Sequence, residues 1–174
     1  MPQLTYPLDL TNAFPGLLAD LSPRNDVLSR SSEEAASFPY GTAVVAGTDP
    51  DTQVLLPAGA GADTLIGVVS HSHANEVGAD DENLADPNHT LNCLHVGRIY
   101  VQLESSSPAV IAGTTGVFIR TANPAAAPAD EGLGRFRGDV DGGDALTMAG
   151  GRWITSGSAG DLVVLEIDAD ASIS

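Results

Sequence analysis

Three aspartates, Asp139, Asp141 and Asp144, fall within the seven residues "GDVDGGD" (138–144). Oxygen ligands at that density are what a calcium loop uses, and a Gly/Asp run is equally what a turn between strands uses. An EF-hand loop needs ligands at alternating positions, glycine at the sixth and a bidentate acid at the twelfth. Counted from Asp139, Asp141 fits the third position, but Gly143 holds the fifth, Asp144 the sixth and Gly150 the twelfth. The spacing fails for calcium and predicts a hairpin turn linking "GRFR" to "ALTMAG", with its three charges in solvent.

His71, His73, His89, Cys93 and His95 are a second concentration of ligand types. Zinc could use them, and His71 and His73 would lie on one side of an extended chain, but the spacing matches no compact finger. We expect solvated histidines, no metal and no cofactor. Nucleophile signatures are absent: there is no GxSxG elbow and no HExxH, and "AGAGAD" (58–63) lacks the lysine of a phosphate-binding loop. Carboxylate pairs for sugar hydrolysis normally come with aromatic platforms, and only 5% of the chain is aromatic. The reading is non-enzymatic.

The chain has 174 residues, enough for one domain with its own core. Its formal net charge is −16, with seven arginines and no lysine against 23 acids. Phosphate contacts need clustered cations, so nucleic acid is a poor partner. An acidic surface suits either high salt or a partner with a basic face. Cys93 is the single cysteine, which excludes an intramolecular disulfide. No apolar run approaches a membrane span and no secretory leader is visible, so we expect synthesis in the cytoplasm and no membrane partner. Without a leader, the sequon Asn88-His89-Thr90 carries no weight.

The elements that must carry these residues are short. Residues 1–36 hold scattered apolar anchors broken by Pro2, Pro7, Pro15 and Pro23, which forbid a long helix and hinder a central strand. We read them as an extended N-terminal arm, with at most a short helical turn at "SPRNDVLS" (22–29), where Ser22 would cap and Pro23 begin it. Fifteen extended residues reach roughly 50 Å, against about 40 Å for a compact domain of this size, so the arm could cross onto a neighbouring subunit. Residues 37–174 show β-like runs bounded by Gly, Pro or Asp: 40–47, 52–57, 64–70, 91–104, 109–120, 134–140, 144–150, 151–157 and 161–168. Polar or Pro/Ala-rich stretches at 71–90 and 123–132 read as exposed loops. The expected fold is all-β, a compact barrel or sandwich-like domain of short strands.

The order of several motifs resembles one family. "FPGLLAD" (14–20), "VLSR" (27–30), the acids Glu33 and Glu34, "FPYGTAVV" (38–45), "LIGVV" (65–69), "GRIYVQLE" (97–104), "AGTTGVFIR" (112–120), "GRF" (134–136) and "GGRWITSGSAGDLVVLEI" (150–167) follow one another as in the capsid decoration, or structural cement, proteins of tailed viruses. The resemblance implies a β-barrel-like protein on the outside of an icosahedral shell, usually trimeric, whose partner is the major capsid protein and whose arm reaches neighbouring subunits. Tyr6, Leu8, Phe14, Leu17 and Leu18 are then the candidate capsid or intersubunit contacts, because an extended arm cannot bury them locally. In such a trimer, His71 and His73 near the axis could assemble a metal site that one chain lacks. The alternative is a virion-surface module for host or glycan attachment through the 71–95 loop.

Overall fold

The computed structural model describes residues 13–20, 24–59, 64–71, 84–85, 87, 89–122 and 132–174. They form an all-β protein built around one long strand. The strands are β1 (Asp26–Ser32), β2 (Phe38–Pro39), β3 (Ala43–Ala46), β4 (Gln53–Leu55), β5 (Leu65–Ser70), β6 (Leu84–Ala85), β7 (Thr90–Gln102), β8 (Phe118–Arg120), β9 (Phe136–Arg137), β10 (Ala145–Trp153) and β11 (Leu162–Ile173). Nine of them make one sheet in the order β1-β4-β3-β5-β7-β11-β10-β8-β9. Since β1 also pairs β7, from Asp26↔Val96 to Ser31↔Thr90, the first five strands close into a barrel. A parallel bridge from Leu103 to Phe136 brings β9 back beside the chain just past β7, so the other strands curl round as well.

β7 serves both halves by changing partners along its 13 residues. β5 and β1 take its first half; β11 takes Gly97–Gln102, from Ile167↔Gly97 to Leu162↔Gln102. Gly97 stands at the handover with φ +134°, and a Cβ there would run into the Asn25 side chain.

Alternate residues of the shared strands feed two cores. Ala43 and Val45 of β3, with Leu94, Ile99, Val101 and Leu103, join Trp153, Phe136, Leu165 and Ile167 in the larger cluster. Val44, between them, faces the smaller one with Phe38, Tyr40, Val54, Leu91 and Cys93. This period-two alternation is what sheet geometry demands when both faces are covered. Trp153 anchors the larger core, donating its indole N–H to the Gly116 carbonyl at 3.0 Å and meeting Phe136 edge-on at 6.3 Å.

Three sequence expectations need correction. The sheet begins at Asp26, inside the stretch read as an arm: Asp26–Ser32 is a strand, not part of a helical turn, and it closes the barrel. Its inward positions are Leu28, Arg30 and Ser32, so no apolar alternation announces it. The runs 144–150 and 151–157 are one strand as far as Trp153, with the register shift at Gly150, whose φ is +75°. "GDVDGGD" is a turn but not a hairpin, because β9 and β10 both pair β8 and lie on opposite sides of it. The loops expected at 71–90 and 123–132 fall almost wholly outside the described residues.

Candidate functional site

The heptad carries a structure that the sequence reading missed. Glu104, Arg120 and Arg137 have side chains with 0%, 0% and 2% exposure, and Asp141 bonds both arginines from the rim. Arg120 donates its Nε to Glu104 Oε1 at 2.5 Å and its Nη2 to both Glu104 Oε2 and Asp141 Oδ2 at 2.7 Å. Arg137 Nη1 bonds the same two oxygens, each at 2.7 Å, and its Nε takes Asp139 Oδ1 at 2.7 Å. Two guanidiniums thus share two carboxylates, and a third holds the outer one. The hydrogen bonds to Glu104 raise the Arg120 pKa above its ordinary value, against the opposing effect of burial.

Each part is positioned by a different element. Glu104 follows β7, Arg120 ends β8, Arg137 ends β9, and Asp141 opens a single 3-10 turn, Asp141–Gly143. Asp141 holds φ +42°, a conformation that aspartate tolerates better than most residues. The expectation that all three charges of the heptad lie free in solvent is therefore wrong for Asp139 and Asp141. Their oxygens face guanidiniums, because burying Arg120 and Arg137 without carboxylates would be prohibitively costly.

A second ionic cluster is more exposed. Glu166 accepts hydrogen bonds from Arg152 and, at 3.0 and 3.1 Å, from Arg98, which also approaches Asp20 at 3.7 Å. Arg152 first, then Arg98, holds the Glu166 carboxyl below the usual carboxylate range. Asp20, Arg98 and Glu166 border a cleft of about 260 Å³ over Gly97, lined also by Arg24, Asn25 and Asp168. Glu33 and Glu34 act on backbone: Glu33 Oε2 accepts the Thr48 N–H and Glu34 Oε1 the Leu56 N–H, both at 2.8 Å.

Of the five candidate contact residues, Tyr6 and Leu8 lie outside the described residues. Phe14, Leu17 and Leu18 lie half-buried against their own chain. Gly16 N–H bonds Tyr100 O at 2.8 Å, Tyr100 N–H bonds Leu17 O at 2.9 Å and Ala19 N–H bonds Arg98 O at 2.9 Å, so residues 16–19 lie along β7 through an antiparallel bridge at Leu18↔Ile99. Leu18 packs on the larger core, and Phe14 meets the His71 ring edge-on at 4.6 Å. The premise that this part of the arm finds no local cover does not hold: it folds back over its own barrel.

Of the described histidines, His71 and His95 have separate surroundings. His71 also contacts Tyr40, at 5.0 Å between rings, and His95 Nδ1 sits 2.9 Å from the Ile66 carbonyl. Cys93 is buried in the smaller core, where desolvation pushes its thiol up to about 12 in spite of Arg30. Among the described residues no three His, Cys, Asp or Glu side chains gather in a metal-holding group. His73 is outside them, and the sequence 90–95, read as part of an attachment loop, belongs to β7.

Comparison with known proteins turns this geometry into an identity. Residues 2–168 match the family described as "Structural cement protein (E217 gp24/Pam3 gp6)", a phage family. The chain belongs to that family. As a phage cement protein it is a component of the virion capsid with a structural role. Its fold is also that of a chain in a structure titled "The capsid of Myoviridae Phage XM1": at 12% identity the TM-score is 0.67, with 95% of this chain and 98% of that one covered. No curated protein matches the sequence.

Proposed function

We propose that this cement protein binds the outer surface of the assembled icosahedral shell, as trimers on the major capsid protein, with the N-terminal segment extending onto neighbouring subunits. The family match across residues 2–168 carries the reading. The closed barrel supports it, because a sheet without long free edges can be displayed in many copies without pairing to its neighbours.

The mechanism is mass action. A protein that binds the assembled shell and not its separated subunits stabilises the shell by RT ln(1 + [L]/Kd) per site. At a hundredfold excess over Kd that is about 2.7 kcal/mol for each site, and the icosahedral lattice repeats it. The protein performs no chemistry; it adds contacts that must break before the shell opens.

The test is to add purified protein to expanded shells that lack it, then to measure occupancy and the temperature at which the shells disrupt. Saturable binding with a raised disruption temperature is expected, and sedimentation of the free protein should give a trimer. Shells that bind protein without gaining stability would refute the cement role. A stable monomer both free and on the shell would refute the trimer.

A further inference from the structure

Val27, Ile111 and Val140 are the large apolar side chains that the described residues leave exposed, and the last two, at 58% and 50%, are on loops that touch. The Gly138 N–H donates to Ser107 Oγ at 3.1 Å, and a Cβ at Gly138 would stand 3.0 Å from Val110 Cγ1 and 3.4 Å from Thr115 Cγ2.

Neither loop is loose. Ile111 heads a tight turn: its carbonyl accepts the N–H groups of Thr114 and Thr115, and its own N–H bonds Thr115 Oγ1 at 2.9 Å. Val110 is bridged to Gly157, and Ala112 N–H bonds Ser156 Oγ at 3.0 Å. Val140 stands between Asp139 and Asp141, the two residues clamped by Arg137 and Arg120. Two apolar tips are therefore held out on a fixed base, which lowers the ordering cost of docking.

The charges beside these tips have one sign. Arg120 and Arg137 are buried, whereas Asp139 and Asp141 are 48% and 37% exposed, so solvent meets carboxylate there. From this arrangement we infer that the 108–116 and 138–144 loops form the shell-docking face, and that its occupant is an apolar depression of the capsid surface rimmed by arginine or lysine. A second copy of this chain fits poorly. It carries the same −16 charge, has no lysine, and its Arg98, Arg120, Arg137 and Arg152 are already paired within the chain. The inference rests on the cement reading and adds the contact face and the chemistry of the partner.

The experiment compares the full-length protein with the double variant Ile111→Ser/Val140→Ser in binding to expanded shells, with added salt as a second variable. Both substitutions are at exposed side chains, so the melting temperature and sedimentation should match the parent. The double variant should bind at least about tenfold more weakly, the loss expected for truncating apolar anchors at the centre of an interface. Parent binding should weaken as salt rises. Undiminished binding by the variant, or dissociation of the free oligomer, would overturn the assignment of this face to the shell. Binding indifferent to salt would overturn the basic partner. Failure of the parent itself to bind shells would remove the cement reading beneath both.

Discussion

Glu104 is the residue on which the second half of the fold depends most. Its carboxylate has no contact with solvent and bonds two guanidiniums from different strands. Glu104→Gln would leave Arg120 and Arg137 buried with only the rim aspartates, and should cost about 3–5 kcal/mol, the usual penalty for breaking a buried pair from one side. Asp139→Asn removes a half-exposed partner and should cost no more than about 1 kcal/mol. Denaturant titration of both variants checks the contrast; equal losses would mean that the network is not organised around Glu104. Glu166 supplies a pH dependence. Its folded pKa lies below the ordinary value near 4.5, so its contribution is present above that pH and fades as pH falls toward the folded value. Glu166→Gln should therefore be less stable than the parent at neutral pH, and the gap should narrow on acidification below about pH 4.5. A gap constant across that window would mean that the arginines do not favour the ionised form.

None of this network was legible in the sequence, although a trace of it is visible in retrospect. Arg120 ends the apolar run "VFIR", and Arg135 and Arg137 flank Phe136 in "GRFR", so three of the chain's seven arginines sit on two short apolar runs. Glu104 is 16 residues from Arg120, so only the folded sheet brings the pair together.

At the level of elements, the apolar runs led directly to β3, β5, β7 and β11, since alternating or continuous Val, Ile and Leu is what a covered strand requires. β1 escaped because Arg30 and Ser32 replace apolar residues on its inward face. The N-terminal arm was misjudged for a different reason: prolines limit helix and strand, but they do not prevent residues 16–19 from bonding an available edge. This changes what truncation can show. Deleting residues 1–20 strips hydrogen bonds from β7 and should lower the melting temperature, confusing folding with binding. Deleting residues 1–12 leaves those bonds in place. The shorter deletion should melt like the parent yet occupy fewer sites on the shell, and undiminished occupancy would show that Tyr6 and Leu8 make no capsid contact. Gly67 tests the packing of β5 on β7. It has φ +154°, and a Cβ there would collide with the Leu94 carbonyl, so Gly67→Ala should destabilise by at least about 2 kcal/mol. An unchanged melting temperature would show that the strands can part locally.

For the molecule as a whole, charge and closure act together. Arg120 and Arg137 are spent inside on Glu104 and the rim aspartates, and Arg98 and Arg152 are paired with Glu166 nearer the surface, so little positive charge is left to offset the acidic excess. Such a surface favours a basic partner, the more so at low salt. The barrel itself could serve many purposes, and composition alone reached no further than an acidic all-β domain. The order of weak motifs along the chain pointed to the cement family, and the match over residues 2–168 establishes it.

An electron-microscopic reconstruction of the mature virion tests the central claim most directly. The account predicts density for this barrel in trimers on the outer face of the shell, with Ile111 and Val140 turned toward the capsid protein. Density inside the shell, or a mature shell without the protein, would contradict it.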